Sequence, residues 1–400
     1  MNYLKFILVI HFFISTINSQ ELATGKWNAT LQLNDTTHLP FDLIVTNNTI
    51  IIKNGVEEIP LKEPIKKENG MIYHFKEFNS YLIINEFTND EMIGYWVNKD
   101  RKQKGIISFY AAHQTDHKVY KKEVSTAING KWEVTFSPNN NSSYPAIGKF
   151  KQDDNNNISG TFLTETGDYR FLTGKQNSDG SYYLSCFDGS HVFLFEGKVI
   201  EDSISGIFYS GRHWNTNFTG IKNDNVSLSD PYSLTYLKEN QVIEFNKKQL
   251  DGTSYQFPNK STAGKVTIVQ IIGSWCPNCL DETRFFKELY EDYNDLGLEI
   301  VAIGYEVPKD FKEQAERLQN YKETLGIPYT VLVGGTARKD KASEDFYMLN
   351  EISSFPTSIL FNKAGEVVRI LTGFNGPGTG IIYEEYVSET RRLIEELLEE

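Results

Sequence analysis

The sequence predicts a multi-domain protein: an all-β N-terminal region of two related antiparallel meander units, each a sandwich or barrel, followed by a C-terminal α/β domain. Three observations predict this. The 400 residues exceed one ordinary domain. The apolar period changes near residue 224, from short alternating segments to β-branched runs separated by helical spacing. And Gly25-Lys26-Trp27-Asn28-Ala29-Thr30 recurs as Gly130-Lys131-Trp132-Glu133-Val134-Thr135, each copy opening a strand-rich stretch.

Composition is compatible with packed cores, at 40% hydrophobic and 13% aromatic residues. The formal charge of -13 argues against nucleic acid or anionic membrane as partner, since neither welcomes an acidic surface. It says nothing about reaction type.

Residues 1–19 read as a signal peptide. Lys5 gives a small positive start, Phe6 to Ile14 a short apolar core, and Ser15 to Ser19 a polar exit with cleavage expected near Ser19. The core is too short to span a bilayer as a helix, and a non-cleaved anchor is the alternative. With no cysteine before Cys186, a lipid-modified N-terminal cysteine is excluded. The expected location is therefore exported, periplasmic or otherwise extracytoplasmic, soluble after cleavage, in an oxidising space.

Residues 20–122 form the first β unit, with strands expected at Phe41 to Thr46, Met71 to Lys76, Tyr81 to Glu86, Met92 to Val97 and Gly105 to Tyr110. Residues 123–224 form the second, with strands at Ala146 to Lys151, Ile158 to Leu163, Ser181 to Phe187, His191 to Glu196, Ile204 to Tyr209 and His213 to Ile221. Regular strand and turn spacing with almost no helical period indicates a curled meander. Ser159-Gly-Thr-Phe162 and Ser205-Gly-Ile-Phe208 echo each other within it. Trp27 and Trp132 read as core aromatics. Cys186, among strand residues, reads as buried and inert, with an intermolecular bridge as the alternative. The pattern loosens over a linker at 225–240, with Asp230-Pro231 as a break.

Residues 241–400 alternate strand and helix. Val242 to Gln256 reads as a hairpin turning at Asp251-Gly252. Val266 to Ile272 is a β-branched run buried on both faces, and Leu298 to Gly304 a second such strand. Leu280 to Asn294 is amphipathic. Phe311, Ala315, Leu318, Tyr321 and Leu325 recur at helical steps. Tyr329 to Val333 is a strand before a polar helix from Thr336 to Met348. Thr357 to Phe361 and Val367 to Leu371 form a hairpin, and Glu384 to Leu398 a closing helix. The mixture of crossovers and hairpins predicts a sheet of mixed direction.

The chemistry lies where the first buried strand ends, at Trp275-Cys276-Pro277-Asn278-Cys279. Two thiols three positions apart on a first helical turn are close enough to bridge. The helix's free amides and dipole favour the thiolate of Cys276, expected to lie open at the helix mouth with Cys279 behind it. Proline fits the early position. The alternatives are half of a zinc site or an inert disulfide. Zinc needs four ligands, and the domain supplies no further cysteine and no histidine. All seven histidines lie at or before His213, so a Cys–His nucleophile would have to borrow one from the β region.

From about Val242 to Glu400 the chain resembles the TlpA/ResA-like branch of the thioredoxin family, the extracytoplasmic thiol-disulfide oxidoreductases. The resemblance rests on the Trp-Cys-Pro-Asn-Cys site after a buried strand, on Phe355-Pro356-Thr357, and on Glu282 three residues past Cys279. It implies a thioredoxin-like fold and a redox disulfide of Cys276 and Cys279. The strand at Tyr329 and the helix after it are similar to the insertion that distinguishes this branch. Pro356 is implied to be cis beside the disulfide, leaving the backbone around Phe355 to pair with a substrate strand. Trp275, Phe355, Pro356 and Thr357 are then the substrate-binding residues. Glu282 is implied to exchange a proton with the inner thiol, the alternative being a solvated glutamate at a helix N-terminus. Partners implied are a protein disulfide and an external thiol donor, with no cofactor, no metal, no nucleic acid and no transmembrane span. Reduction is favoured over oxidation or isomerisation.

Two rival functions remain. A peroxiredoxin-type thiol peroxidase would carry Pro and Thr seven and three residues before the attacking cysteine, where this chain has Val269 and Gly273. A non-enzymatic β-rich client-binding or cell-surface module would use the redox domain as an accessory. Exposed aromatics on one sheet face would mark binding, and inward aromatics a spacer. The sequons at Asn28 and Asn217 are expected by chance in an Asn-rich chain, and Glu395 to Glu400 reads as a solvated helix face.

Overall fold

The computed structural model describes residues 22–47, 49–67, 70–114, 124 and 126–400. The signal-peptide reading of residues 1–19 lies outside the described residues.

The first β unit is a nine-stranded antiparallel sheet. Its opening strand Gly25–Gln32 pairs with both His38–Thr46 and the last strand Ile106–His113. The sheet stays open between Glu57–Pro60 and Ile65–Lys67, a half-barrel. Its strands alternate buried and exposed residues, as in Glu91–Asn98, where Met92, Gly94, Trp96 and Asn98 point inward.

The second unit repeats the plan and closes it. Gly130–Phe136 pairs with Tyr144–Gln152 and with the last strand Trp214–Lys222. Tyr144–Gln152 then meets Asn157–Thr164, which completes an eight-stranded ring. The interior is filled by aromatics, with the Phe136 ring against Tyr144, Phe162, Phe195, Phe208 and Phe218. In both units the glycine of the recurring motif has positive φ, +131° at Gly25 and +106° at Gly130, a conformation that L side chains strain to adopt. In both, the buried indole donates to the carbonyl four residues upstream, Trp27 to Ala23 at 3.1 Å and Trp132 to Ile128 at 2.8 Å. The motif thus marks one local structure built twice.

The units interlock. Phe187, from the closed barrel, plugs the half-barrel's core against Phe41, Phe75 and Trp96. Asn54 clamps its backbone, accepting from Phe187 N at 3.1 Å and donating to its carbonyl at 3.0 Å. The closed barrel's phenylalanines fill its interior while its Trp214 is exposed, and Tyr95 and Tyr110 of the half-barrel face outward beside Ile93 and Ile106.

The C-terminal sheet has seven strands, in the order Ser254–Phe257, Phe245–Gln249, Thr330–Thr336, Leu298–Glu306, Val266–Ile272, Thr357–Phe361 and Val367–Thr372. The three strands from Thr330–Thr336 to Val266–Ile272 are parallel and the remaining pairs antiparallel. Every residue of Val266–Ile272, Leu298–Glu306 and Thr357–Phe361 is buried, as continuous β-branched runs require. Helices Pro277–Tyr293, Phe311–Leu325, Lys339–Asp345 and Ile381–Glu399 connect and cover it. Asp310 caps Phe311–Leu325 by accepting from the Lys312 and Glu313 amides, and Gly326, left-handed, ends it.

The segment expected to be a loose linker is ordered over its second half. Asp230 caps a single turn, Pro231–Leu234. Tyr236 N then donates to Asn350 Oδ1 at 2.9 Å, Lys238 N to the Met348 carbonyl at 3.0 Å, and Thr372 Oγ1 meets Thr235 Oγ1 at 2.6 Å. Residues 226–230, ahead of this, have neither strand nor helix.

Candidate functional site

The buried strand Val266–Ile272 delivers the chain to Gly273 and Ser274, and the helix Pro277–Tyr293 begins at once. Cys276 is its N-cap, with Sγ accepting from the Cys279 amide at 3.2 Å. The two cysteines form a disulfide with Cα atoms 5.2 Å apart, within the usual span for such a bond.

The predicted site residues gather around this bond. The Phe355–Pro356 peptide is cis, and the Phe355 carbonyl lies 3.6 Å from Cys276 Sγ. Thr357 is fully buried, with its hydroxyl donating to the Ser354 carbonyl at 2.9 Å. Trp275 sets its ring edge-on to Phe355 and donates from Nε1 to the Tyr305 carbonyl at 2.9 Å.

Glu282 is fully buried one turn past Cys279, so the alternative of a solvated glutamate does not hold. Burial pushes its carboxyl up to about 8, against a hydrogen bond from Gln270 Nε2 at 2.8 Å. At neutral pH it carries its proton. A buried carboxylic acid is a group able to give or take a proton near working pH.

Glu306 was not singled out from the sequence. It ends Leu298–Glu306, and its two oxygens accept from Ser274 N at 2.8 Å and Ser274 Oγ at 2.7 Å. Burial pushes it up to about 7, opposed by those bonds. It positions the turn that enters Cys276. The signal was available: parallel strands Val266–Ile272 and Leu298–Glu306 end at the same sheet edge, so a carboxylate there must face the motif.

The expected open sulfur at the helix mouth is not what the structure shows. Cys276 is 7% exposed and Cys279 0%. Phe355, Pro356 and Thr357, expected to meet a substrate, are buried too. Phe355 and Thr357 are buried by their own domain's core, and the closed barrel's turns at 164–170 and 188–190 pack on the residues flanking the disulfide. Ser190 Oγ donates to the Trp275 carbonyl at 3.0 Å, and Arg170 Nη1 to the Pro277 carbonyl at 3.0 Å. Arg170 also pairs with Asp281, Asp188 and Glu57. Asn278 Nδ2 donates to Asp168 Oδ1 at 3.0 Å and to the Phe374 carbonyl at 3.1 Å. Cys186 is buried, as expected, on the strand leading to the second of these turns.

Comparison with known proteins matches this region of the chain. Residues 239–370 fit the model of the AhpC/TSA family. The chain is 27% identical over 138 residues to the thiol-disulfide oxidoreductase ResA of Halalkalibacterium halodurans, covering 33% of this chain and 67% of that one. It is 27% identical over 110 residues to ResA of Bacillus subtilis, covering 28% and 54%. The chain thus spans between about half and two thirds of the length of these relatives. Among solved structures, StoA from Bacillus subtilis aligns with a TM-score of 0.27 at 21% identity, over 38% of this chain and 98% of that one. A putative protein disulfide isomerase from Bacteroides thetaiotaomicron aligns with a TM-score of 0.31 at 18% identity, over 42% and 93%. Sheet, dithiol helix and family match agree: the C-terminal region has a thioredoxin-like fold, residues 239–370 match the AhpC/TSA family model, and the region is similar to the ResA oxidoreductases.

Proposed function

We propose that the protein is an exported thiol-disulfide oxidoreductase that reduces protein disulfides through Cys276 and Cys279. The observation that carries the reading is the Cys276–Cys279 bond at a helix N-terminus, with the Phe355 carbonyl 3.6 Å from the outer sulfur. The ResA relatives support the reaction class.

In the reduced form the Cys276 thiolate attacks one sulfur of the substrate disulfide. A mixed disulfide forms, the substrate's S–S bond breaks, and the departing thiolate takes a proton. Cys279, losing its own proton, attacks Cys276 Sγ and releases the second substrate thiol. Two electrons have passed to the substrate and the enzyme disulfide is closed. An external dithiol donor reopens it. Glu282, protonated at neutral pH and on the helix turn after Cys279, is the group proposed to handle the inner proton. Trp275, Phe355, Pro356 and Thr357 form the proposed substrate-binding wall.

Trapping tests this directly. Cys279→Ser should accumulate mixed disulfides on Cys276 that run as high-mass bands without reductant, and Cys276→Ser should not. Equal trapping by both variants would contradict the assigned roles. The peroxidase reading draws on the family match alone. Val269 and Gly273 stand where it needs Pro and Thr, so peroxide consumption coupled to a dithiol should stay at background.

A further inference from the structure

The contacts covering the dithiol come from one body. The Ser190 hydroxyl holds the Trp275 carbonyl, Arg170 the Pro277 carbonyl, Asp168 the Asn278 side chain and the Gly376 amide, and the Thr166 carbonyl the Ser354 hydroxyl at 3.3 Å. These are the backbone and side-chain groups flanking the disulfide and the cis proline. In the proposed reaction they are where an incoming polypeptide has to lie. The barrel occupies that place with its own turns.

The same contacts are of a kind that releases. They are hydrogen bonds and ion pairs, extended by Asp100 with Arg317 at 2.6 Å and Glu77 with Arg284 at 3.4 Å. Phe78, half-buried, is the half-barrel's apolar contribution to the redox domain's core. Polar interfaces between domains of one chain behave like transient complexes. Separation also leaves the buried Arg170 charge paired on the β side. Arg170 would keep Glu57 at 2.5 Å and Asp188 at 3.1 Å, both carried by the barrels. Asp281, on the redox side, has Arg284 at 3.5 Å and would gain water. Losing one partner of a buried pair is severe when the other is stranded, and here neither is. The two β units are pinned together through Phe187 and Asn54, so they would move as one. Residues 226–230 offer the hinge, since the chain is tied to the redox domain from Thr235 onward.

We propose that the β region is a built-in lid on the dithiol. Docked, it shuts protein disulfides out, and the 7% of Cys276 that stays exposed admits at most a small disulfide. Swinging about residues 226–230, it opens the groove to a polypeptide. This rests on the redox reading above and adds its control.

The test uses the full chain, reduced, as wild type, Ser190→Ala and Arg170→Lys. Each variant weakens a barrel-side hold and leaves both sulfurs in place. Rates are measured with insulin as the protein disulfide and with oxidised glutathione as the small one. The lid predicts insulin reduction rising about tenfold in the variants, equivalent to about 1.4 kcal/mol of docking, with glutathione exchange within about twofold of wild type. Insulin rates at the wild-type level in folded Ser190→Ala, whose lost hydroxyl leaves no charge unpaired, overturn the lid even if Arg170→Lys fails to fold. A chain that exchanges with neither disulfide, as wild type and as folded Ser190→Ala alike, overturns the redox reading, and the lid with it.

Discussion

At the residue scale, two buried carboxyl groups flank the sulfurs from inside the domain. Glu282 titrates near about 8 in the folded protein against an ordinary 4.5, because burial penalises its charged form. The folded state therefore holds a proton that the unfolded chain has released. Stability from this group is full below about pH 4.5 and is lost as pH rises to about 8. Glu282→Gln should abolish that decline, measured as thermal midpoints from pH 5 to 9, and should flatten the pH profile of glutathione exchange near pH 8. A profile identical to wild type would retire Glu282 from the proton path. Glu306 has a different task. Glu306→Ala leaves the Ser274 amide without its acceptor and should cost about 1–3 kcal/mol in urea unfolding of the redox domain. Glu306→Gln, which can still accept, should recover most of that. The motif and Glu282 are legible in the sequence because their spacing is local. Asp168, Arg170 and Ser190 are not, because their partners stand 110, 107 and 85 residues away and leave no periodic trace.

At the element scale, the sequence is readable wherever one face of a strand is buried and the other is not. Met92 to Val97 and Ile204 to Tyr209 alternate and sit inside strands as expected. Thr49–Asn54 hides its alternation in a run of three isoleucines, of which only the outer two are buried. Leu172–Gln176 is polar with a central glycine, and it is a strand because Gly174 lets the backbone lie against the Tyr183 carbonyl. The Asp230-Pro231 break was legible, but the ties that follow it were not, since Asn350 and Thr372 lie over a hundred residues on. The barrel's stability should centre on Phe136, fully buried and in ring contact with strands all around the interior. Phe136→Ala should cost the barrel about 3–5 kcal/mol, seen as an earlier urea transition in the fluorescence of Trp132. A shift under about 1 kcal/mol would mean that the barrel is held by its ladder alone.

At the scale of the whole molecule, a duplicated β region and a redox domain meet across polar contacts centred on Arg170. The turn after Phe187 touches all three bodies: Phe187 enters the half-barrel core, Gly189 accepts from Ser80 Oγ, and Ser190 reaches Trp275. The architecture explains how a dithiol can be both intact and covered. Everything else depends on that dithiol cycling. The direct measurement is a redox titration of the full chain in dithiothreitol and glutathione buffers, counting thiols that appear beyond buried Cys186. The account predicts two thiols released together in one two-electron transition, about 30 mV per decade, at a potential more reducing than glutathione and absent in Cys276→Ser. A pair that stays closed across the whole range would contradict redox function, and a couple more oxidising than glutathione would contradict the reductive direction.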